Sequence, residues 1–152
     1  CRRQKCHLDP SLSLRMRFLT SSTISNYDYT SDGYYYITIC SNYKRDFSEQ
    51  EKQIILKYIE EIEKIAEGVR LDFYEIVHNH LHMILILNNC RMNLGEIIRR
   101  FKALVSKEVK QKLWQPNYYE HIIRNEKALN KIREYIKNNP LKEQLDLREI
   151  YE

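Results

Sequence analysis

The sequence predicts an α+β domain: an antiparallel sheet in the order β-α-β-β-α-β with helices packed on one face, followed by one further helix. Three observations predict it. Aromatic and β-branched runs recur between polar turns at 34–41, 71–77, 81–87 and 117–123. Two longer segments place apolar residues at helical spacing behind capping pairs. A last helical pattern follows the final run and stops at Pro140.

Residues 1–25 form a separate arm in this reading. They are basic at first (Arg2, Arg3, Lys5, Arg15, Arg17), then rich in Ser and Thr, and they are expected to be irregular. A single domain spans 26–152. Tyr34 to Ser41, YYYITICS, is its first strand, and the loop Asn42 to Phe47 carries Lys44 and Arg45. Ser48 with Glu51 makes a capping box. Behind it Ile54, Ile55, Tyr58, Ile59, Ile62, Ile65, Ala66 and Val69 predict a long amphipathic helix, with Gly68 near its end.

Leu71–Val77 and Leu81–Leu87 read as a hairpin about the polar interval His78-Asn79, and Asn88-Asn89 closes the second strand. Asn93 and Glu96 cap the next helix, with Leu94, Ile97, Ile98, Phe101, Leu104 and Val105 facing inward. Residues 117–123, NYYEHII, are a fourth strand. Asn125 opens the last helix through Ala128, Leu129, Ile132, Tyr135 and Ile136, ending at or just before Asn139. This order is that of ferredoxin-like and RRM-like sheets.

Composition bounds the function. Of 152 residues 43% are apolar and 30% charged, an ordinary balance for a domain with its own core. No apolar run approaches the ~20 residues that cross a bilayer, and the first thirty residues lack a secretory signal, so a cytoplasmic location is expected. The chain begins with Cys, which leaves its natural start open. A net charge of +4 permits a polyanionic partner without requiring one. The four cysteines have no disulfide rhythm; Cys1, Cys6 and His7 make at most half of a zinc site. No phosphate-binding glycine loop is present.

His80-Leu81-His82 is the most informative segment. Side chains two apart on a strand share a face, so both imidazoles project together as half of a divalent-metal site. Asn139 and His78 are both candidates for a third ligand. Tyr135 lies four residues before Asn139, on the same helix face, where a phenol beside a metal-bound phosphate could act as a nucleophile. Spacing alone does not choose it over Tyr118 or Tyr119. Arg99, Arg100, Lys102, Lys44 and Arg45 are candidates for phosphate contacts, and Tyr118, Tyr119 and Trp114 for base stacking.

Four segments in order carry a resemblance: NYDYTSDGYYYITICS (26–41), NHLHMIL (79–85), GEIIRRFKALVSKEV (95–109) and WQPNYYEHIIRNEKALNKIREYIKNNP (114–140). The chain resembles the REP-associated tyrosine transposases, bacterial relatives of the single-tyrosine HUH transposases, over roughly residues 26 to 142. The resemblance implies that His80 and His82 ligate the metal, Mg²⁺ or Mn²⁺, with Asn139 as third ligand. It implies Tyr135 as the nucleophile, a 5′-phosphotyrosine intermediate, and single-stranded DNA with a hairpin beside the cut as partner. The chain departs from the family in reading His78-Asn79 where Pro-Asn is usual. Dimers with shared sites and monomers are both compatible with this class. A nucleic-acid-binding module of RRM type, or a nuclease-inactive descendant, is the alternative. In that case the tyrosines at 34, 35 and 36 would stack bases on an open sheet face.

Overall fold

Five strands pair antiparallel in the computed structural model, which describes residues 3–5 and 32–151. They are β1 (Arg3–Lys5), β2 (Gly33–Cys40), β3 (Val69–Ile76), β4 (His80–Leu87) and β5 (Tyr119–Ile123), in the spatial order β1-β3-β4-β2-β5. The four strands expected from their aromatic and β-branched content are all present. The fifth, β1, falls within the arm read as irregular and pairs with β3 at the sheet edge. The rest of that arm, with Cys1, Cys6 and His7, lies outside the described residues.

Strand register fixes what each face carries. Thr38 pairs with His82 and Cys40 with His80, while Tyr36 pairs with Ile84 on one side and His121 on the other. Directly opposed residues share a face. One face therefore presents Tyr35, Ile37, Ile39, Leu81, Met83 and Leu85 to α1 (Glu49–Glu60) and α2 (Leu94–Val109). The other presents Tyr34, Tyr36, Ile84 and Ile86 to α3 (Glu126–Asn138) and the short α4 (Leu147–Tyr151). Helices thus cover both faces; the last one roofs the side opposite the first two.

The capping signals hold. Ser48 and Glu51 form a reciprocal capping box, Asn93 accepts from the Glu96 N–H at 2.8 Å, and Asn125 accepts from the Ala128 N–H at 2.7 Å. The first helix is shorter than its periodicity predicted. It stops at Glu60, a 3₁₀ turn at Ile62–Lys64 keeps Ile62 in the core, and Val69 begins β3. Gly68 makes that change of direction at φ 95°, where a Cβ would sit 2.5 Å from the Asn88 carbonyl oxygen. Leu104, expected inward, is exposed. No described helix is long and apolar enough to cross a membrane.

A break in the β3–β4 register between Leu71 and Phe73 leaves Asp72 unmatched across the ladder, and its carboxylate meets α3. Arg133 donates from Nε to Asp72 at 2.9 Å and closes a second contact through its terminal nitrogen, while Asn130 takes a third N–H at 2.9 Å. Both partners of the pair are buried. Removing one leaves an uncompensated charge in the interior. Arg133→Ala should therefore lower stability by about 3–5 kcal/mol in urea unfolding; a loss below about 1 kcal/mol, the range of a surface pair, would show that the pair is not buried as described.

Candidate active site

His80 and His82 sit at the start of β4, on the face that α3 covers, and both are 1% exposed. Their Nε2 atoms lie 3.1 Å apart. Each also approaches the main-chain oxygen of Pro140, at 2.8 Å from His80 and 2.9 Å from His82. The outer ring nitrogens are engaged too. His82 Nδ1 is 2.8 Å from the Tyr36 hydroxyl and 3.1 Å from that of Thr38, which itself donates to Tyr36. His80 Nδ1 is 2.7 Å from Asn79 Oδ1.

Burial keeps both rings neutral. Desolvation, with a contribution from the neighbouring His80, pushes the His82 pKa down to about 3. Desolvation lowers that of His80 as well, against the opposing influence of the Pro140 carbonyl and Glu143. Neutral imidazoles are the form that binds metal. Among the described residues no third His, Cys, Asp or Glu joins the pair. His78 lies in the turn before β4 and is exposed, near enough for its charge to act on His80.

Tyr135 projects from α3 into the core of the same face and is 6% exposed. Its hydroxyl donates to the Gln144 carbonyl at 3.3 Å, and Lys142 lies 5.8 Å from its ring centroid. Asn139 caps the C-terminus of α3. Its amide nitrogen donates back to the Tyr135 carbonyl at 3.3 Å, turned onto the helix end.

The candidate cations divide by position. Lys44, beside His80 in charge terms, pairs with Glu143 at 3.3 Å. Arg45 is spent on Glu51 through two bonds of 3.0 Å. Arg99 and Arg100 both meet Glu96 on α2, which packs on the opposite face from the histidines. Lys102 donates to the carbonyls of Gln115 and Pro116, bracing the loop before β5. The aromatics divide as well. Trp114 is buried between Phe47 and Phe101, which removes it from base stacking. Tyr118 and Tyr119 stay half-exposed and line, with Thr38, Cys40 and Glu143, a cleft of about 250 Å³. The tyrosines at 34, 35 and 36 are all buried, and α3 roofs the face that an RRM-type sheet would leave open.

Sequence reasoning missed Thr38, Glu143 and Pro140 here, and read Tyr36 as a base-stacking residue where the structure turns it to His82. The period-two alternation of β2 set Tyr36 and Thr38 on one face, but only the register with β4 aims them at His82.

A family model for IS200-like transposases matches residues 29–139. An uncharacterized protein of Haemophilus influenzae is 34% identical over 157 residues, covering 80% of this chain and 87% of that one. Among solved structures, a REP-associated tyrosine transposase bound to a REP hairpin has a TM-score of 0.66 at 21% identity, over 76% of this chain and 71% of that one. A transposase-like protein of Deinococcus radiodurans has a TM-score of 0.53 at 17% identity, over 74% and 93%. These two share the fold.

His121, opposite Tyr36 on β5, bonds the Tyr151 hydroxyl at 2.9 Å. Burial first, and the Arg124 charge second, push its pKa down to about 4. In the unfolded chain it titrates near 6.5. Below that pH the unfolded chain takes up a proton that the folded chain does not. Stability should fall between pH 6.5 and 4.5 by up to about 1.4 kcal/mol per pH unit from this group. His80 and His82 act in the same direction. Urea unfolding of His121→Gln at pH 7, 6 and 5 should show a shallower fall than wild type; an unchanged slope would mean that His121 is charged in the folded state.

Proposed function

The chain belongs to the IS200-like transposase family, and we propose that it cuts and rejoins single-stranded DNA beside a hairpin through a 5′-phosphotyrosine on Tyr135. One observation carries the reading. Two buried, neutral imidazoles converge on the sheet face covered by the helix that bears Tyr135. The relative bound to a REP hairpin supports a hairpin partner for this chain.

His80 and His82 fit a divalent cation, Mg²⁺ or Mn²⁺, with a third donor from the chain after α3, for which the family pattern points to Asn139. When bound, such a cation withdraws electron density from the scissile phosphate and offsets the charge that develops on it. The remaining work falls to the protein. Tyr36 and Thr38 orient the His82 ring through Nδ1, and Asn79 orients the His80 ring. The Tyr135 phenol gives its proton to solvent as its oxygen bonds to phosphorus. The bond from phosphorus to the 3′ oxygen breaks, and that oxygen takes up a proton to leave as a free hydroxyl. The 5′ end stays esterified to Tyr135. A second 3′-hydroxyl reverses the exchange and frees the tyrosine, so strands rejoin without nucleotide hydrolysis.

Because the Tyr135 hydroxyl is buried against Gln144, a strand reaches it only after residues 141–146 shift. Lys44 and Lys142 flank the path and supply positive charge for phosphates. Arg99 and Arg100 contact DNA in this reading only where the strand passes round to α2.

Labelled single-stranded hairpin DNA incubated with the protein and Mn²⁺ tests the proposal on a denaturing gel. Wild type should give a covalent adduct, and Tyr135→Phe should reduce it by at least about a hundredfold, since the bond-forming oxygen is gone. An undiminished adduct in Tyr135→Phe would move the nucleophile to Tyr118 or Tyr119. DNA binding with no adduct or cut product from wild type would favour the binding-module alternative.

A further inference from the structure

We propose that Tyr43 is a stacking platform for an unpaired base of the DNA strand beside the cut. The inference rests on the single-strand reading above and adds a positioning residue to it. Among the described residues Tyr43 is the most exposed large hydrophobic side chain, at 92%. Its ring adds nothing to the core. Its backbone is strained as well: Tyr43 and Lys44 take φ 56° and 55° in succession, the left-handed region in which a Cβ crowds the following carbonyl. Neither is a glycine, nor the Asn or Asp whose side chain eases that conformation. Such strain persists where the surroundings over-determine it, and it gathers at binding and catalytic sites.

The surroundings here do over-determine it. The Ser41 N–H donates to the Asn79 carbonyl at 2.9 Å, that of Asn42 to Leu113 at 2.7 Å, and that of Phe47 to His78 at 2.6 Å. Glu51 holds Arg45 through two bonds of 3.0 Å, and the Arg45 carbonyl accepts from the Ser41 hydroxyl. The Asn79 amide donates to the Lys44 carbonyl at 3.4 Å, while the oxygen of the same side chain lies 2.7 Å from His80 Nδ1. One residue thus joins the loop that presents Tyr43 to a ring of the candidate active site. Main-chain bonds, and no packing of its own, hold the tyrosine at a fixed offset from the histidines.

An aromatic ring beside a cation is the combination that takes a single strand, the ring a base and the cation a phosphate. Lys44 follows Tyr43 directly. Its ammonium reaches Glu143 at 3.3 Å, on the wall of the cleft that Tyr118 and Tyr119 also line. Cys40 and Gln115, joined by a main-chain bond of 3.0 Å, line that cleft from the near side of the loop. A strand with a phosphate at Lys44 therefore has a base beside Tyr43 while its next nucleotides run towards the cleft. Glycine at 43 would relieve the strain but would supply no ring.

The test is a fluorescence titration of the full chain, in EDTA so that no strand is cut, with a DNA hairpin carrying thymidine arms on both sides of its stem. One arm thymidine at a time is replaced by 2-aminopurine, whose emission falls when an aromatic ring stacks on it. Stacking tolerates any base, so thymidine arms serve. The expected result is quenching at one run of adjacent arm positions that vanishes in Tyr43→Ala and persists in Tyr43→Phe. Tyr43→Ala should weaken binding by about five- to a hundredfold, with its salt dependence unchanged because no charge is lost. Tyr43→Phe should stay within about twofold of wild type. Tyr43→Gly, which suits the backbone, controls for folding and should lose the same quenching at an undiminished urea midpoint. Quenching that survives in Tyr43→Ala and Tyr43→Gly would overturn the stacking role and leave the transposase reading standing. Equal losses in Tyr43→Phe and Tyr43→Ala would assign the role to the hydroxyl and overturn stacking too. No binding of the hairpin by wild type would overturn both this role and the single-strand reading beneath it.

Discussion

Pairing of β2 with β4 sets Thr38 against His82 and Cys40 against His80, and this register governs what either face of the sheet can do. Because side chains alternate along a strand, a slip of one residue would turn both imidazoles into the core under α1 and α2. It would equally turn Leu81, Met83 and Leu85 outwards. The apolar set therefore holds the register, and the register holds the histidines. Burying His80 and His82 costs hydration, which is offset because each outer nitrogen finds a partner on a neighbouring residue.

The two faces of the sheet are finished differently. Under α1 and α2 the packing runs the length of the strands, with Trp114 and Phe47 closing one end. Under α3 it is apolar at Tyr34, Phe73, Ile84 and Ile86, then becomes polar towards Tyr36, Thr38 and the histidines. The buried Asp72–Arg133 pair ties α3 to β3 at the register break. That contact has a directional requirement that apolar packing lacks, so it fixes how far along the sheet the helix sits. Tyr135 and Asn139, further along the same helix, inherit their positions from it.

Much of this was legible in the sequence, for stated reasons. Period-two and period-3.6 patterns depend only on local spacing, and they gave β2 to β5, all three long helices and the shared face of His80 and His82. Asn93 and Asn125 were readable as caps because a cap bonds three residues on. What was missed depends on three-dimensional proximity. Thr38 meets His82 across 44 residues, and Arg133 meets Asp72 across 61. Charge on a helix does not say which layer it lies in, so Arg99 and Arg100 looked equivalent to Lys44 although α2 packs on the other side of the sheet. Trp114 looked available for stacking because aromatic character is the same in a core and in a binding site. A main-chain contact such as that of the Pro140 oxygen with His80 and His82 leaves no side-chain signature at all.

On the proposed mechanism, the segment after α3 carries two demands that pull against each other. Pro140 stays with the histidines, four residues before the Gln144 carbonyl that must release the Tyr135 hydroxyl. The strain of separating these falls on 141–143. Leu141 is 65% exposed, so moving it forfeits little packing. Lys142 is held by one backbone bond to Asn139 at 3.1 Å, and Glu143 by a part-exposed ion pair with Lys44. A part-exposed pair of that kind is worth roughly 0–1 kcal/mol, and a phosphate arriving beside Lys44 competes for the same ammonium. The contact most easily exchanged for DNA is therefore one that holds the cover over the phenol, while Pro140 keeps its bonds to the histidines.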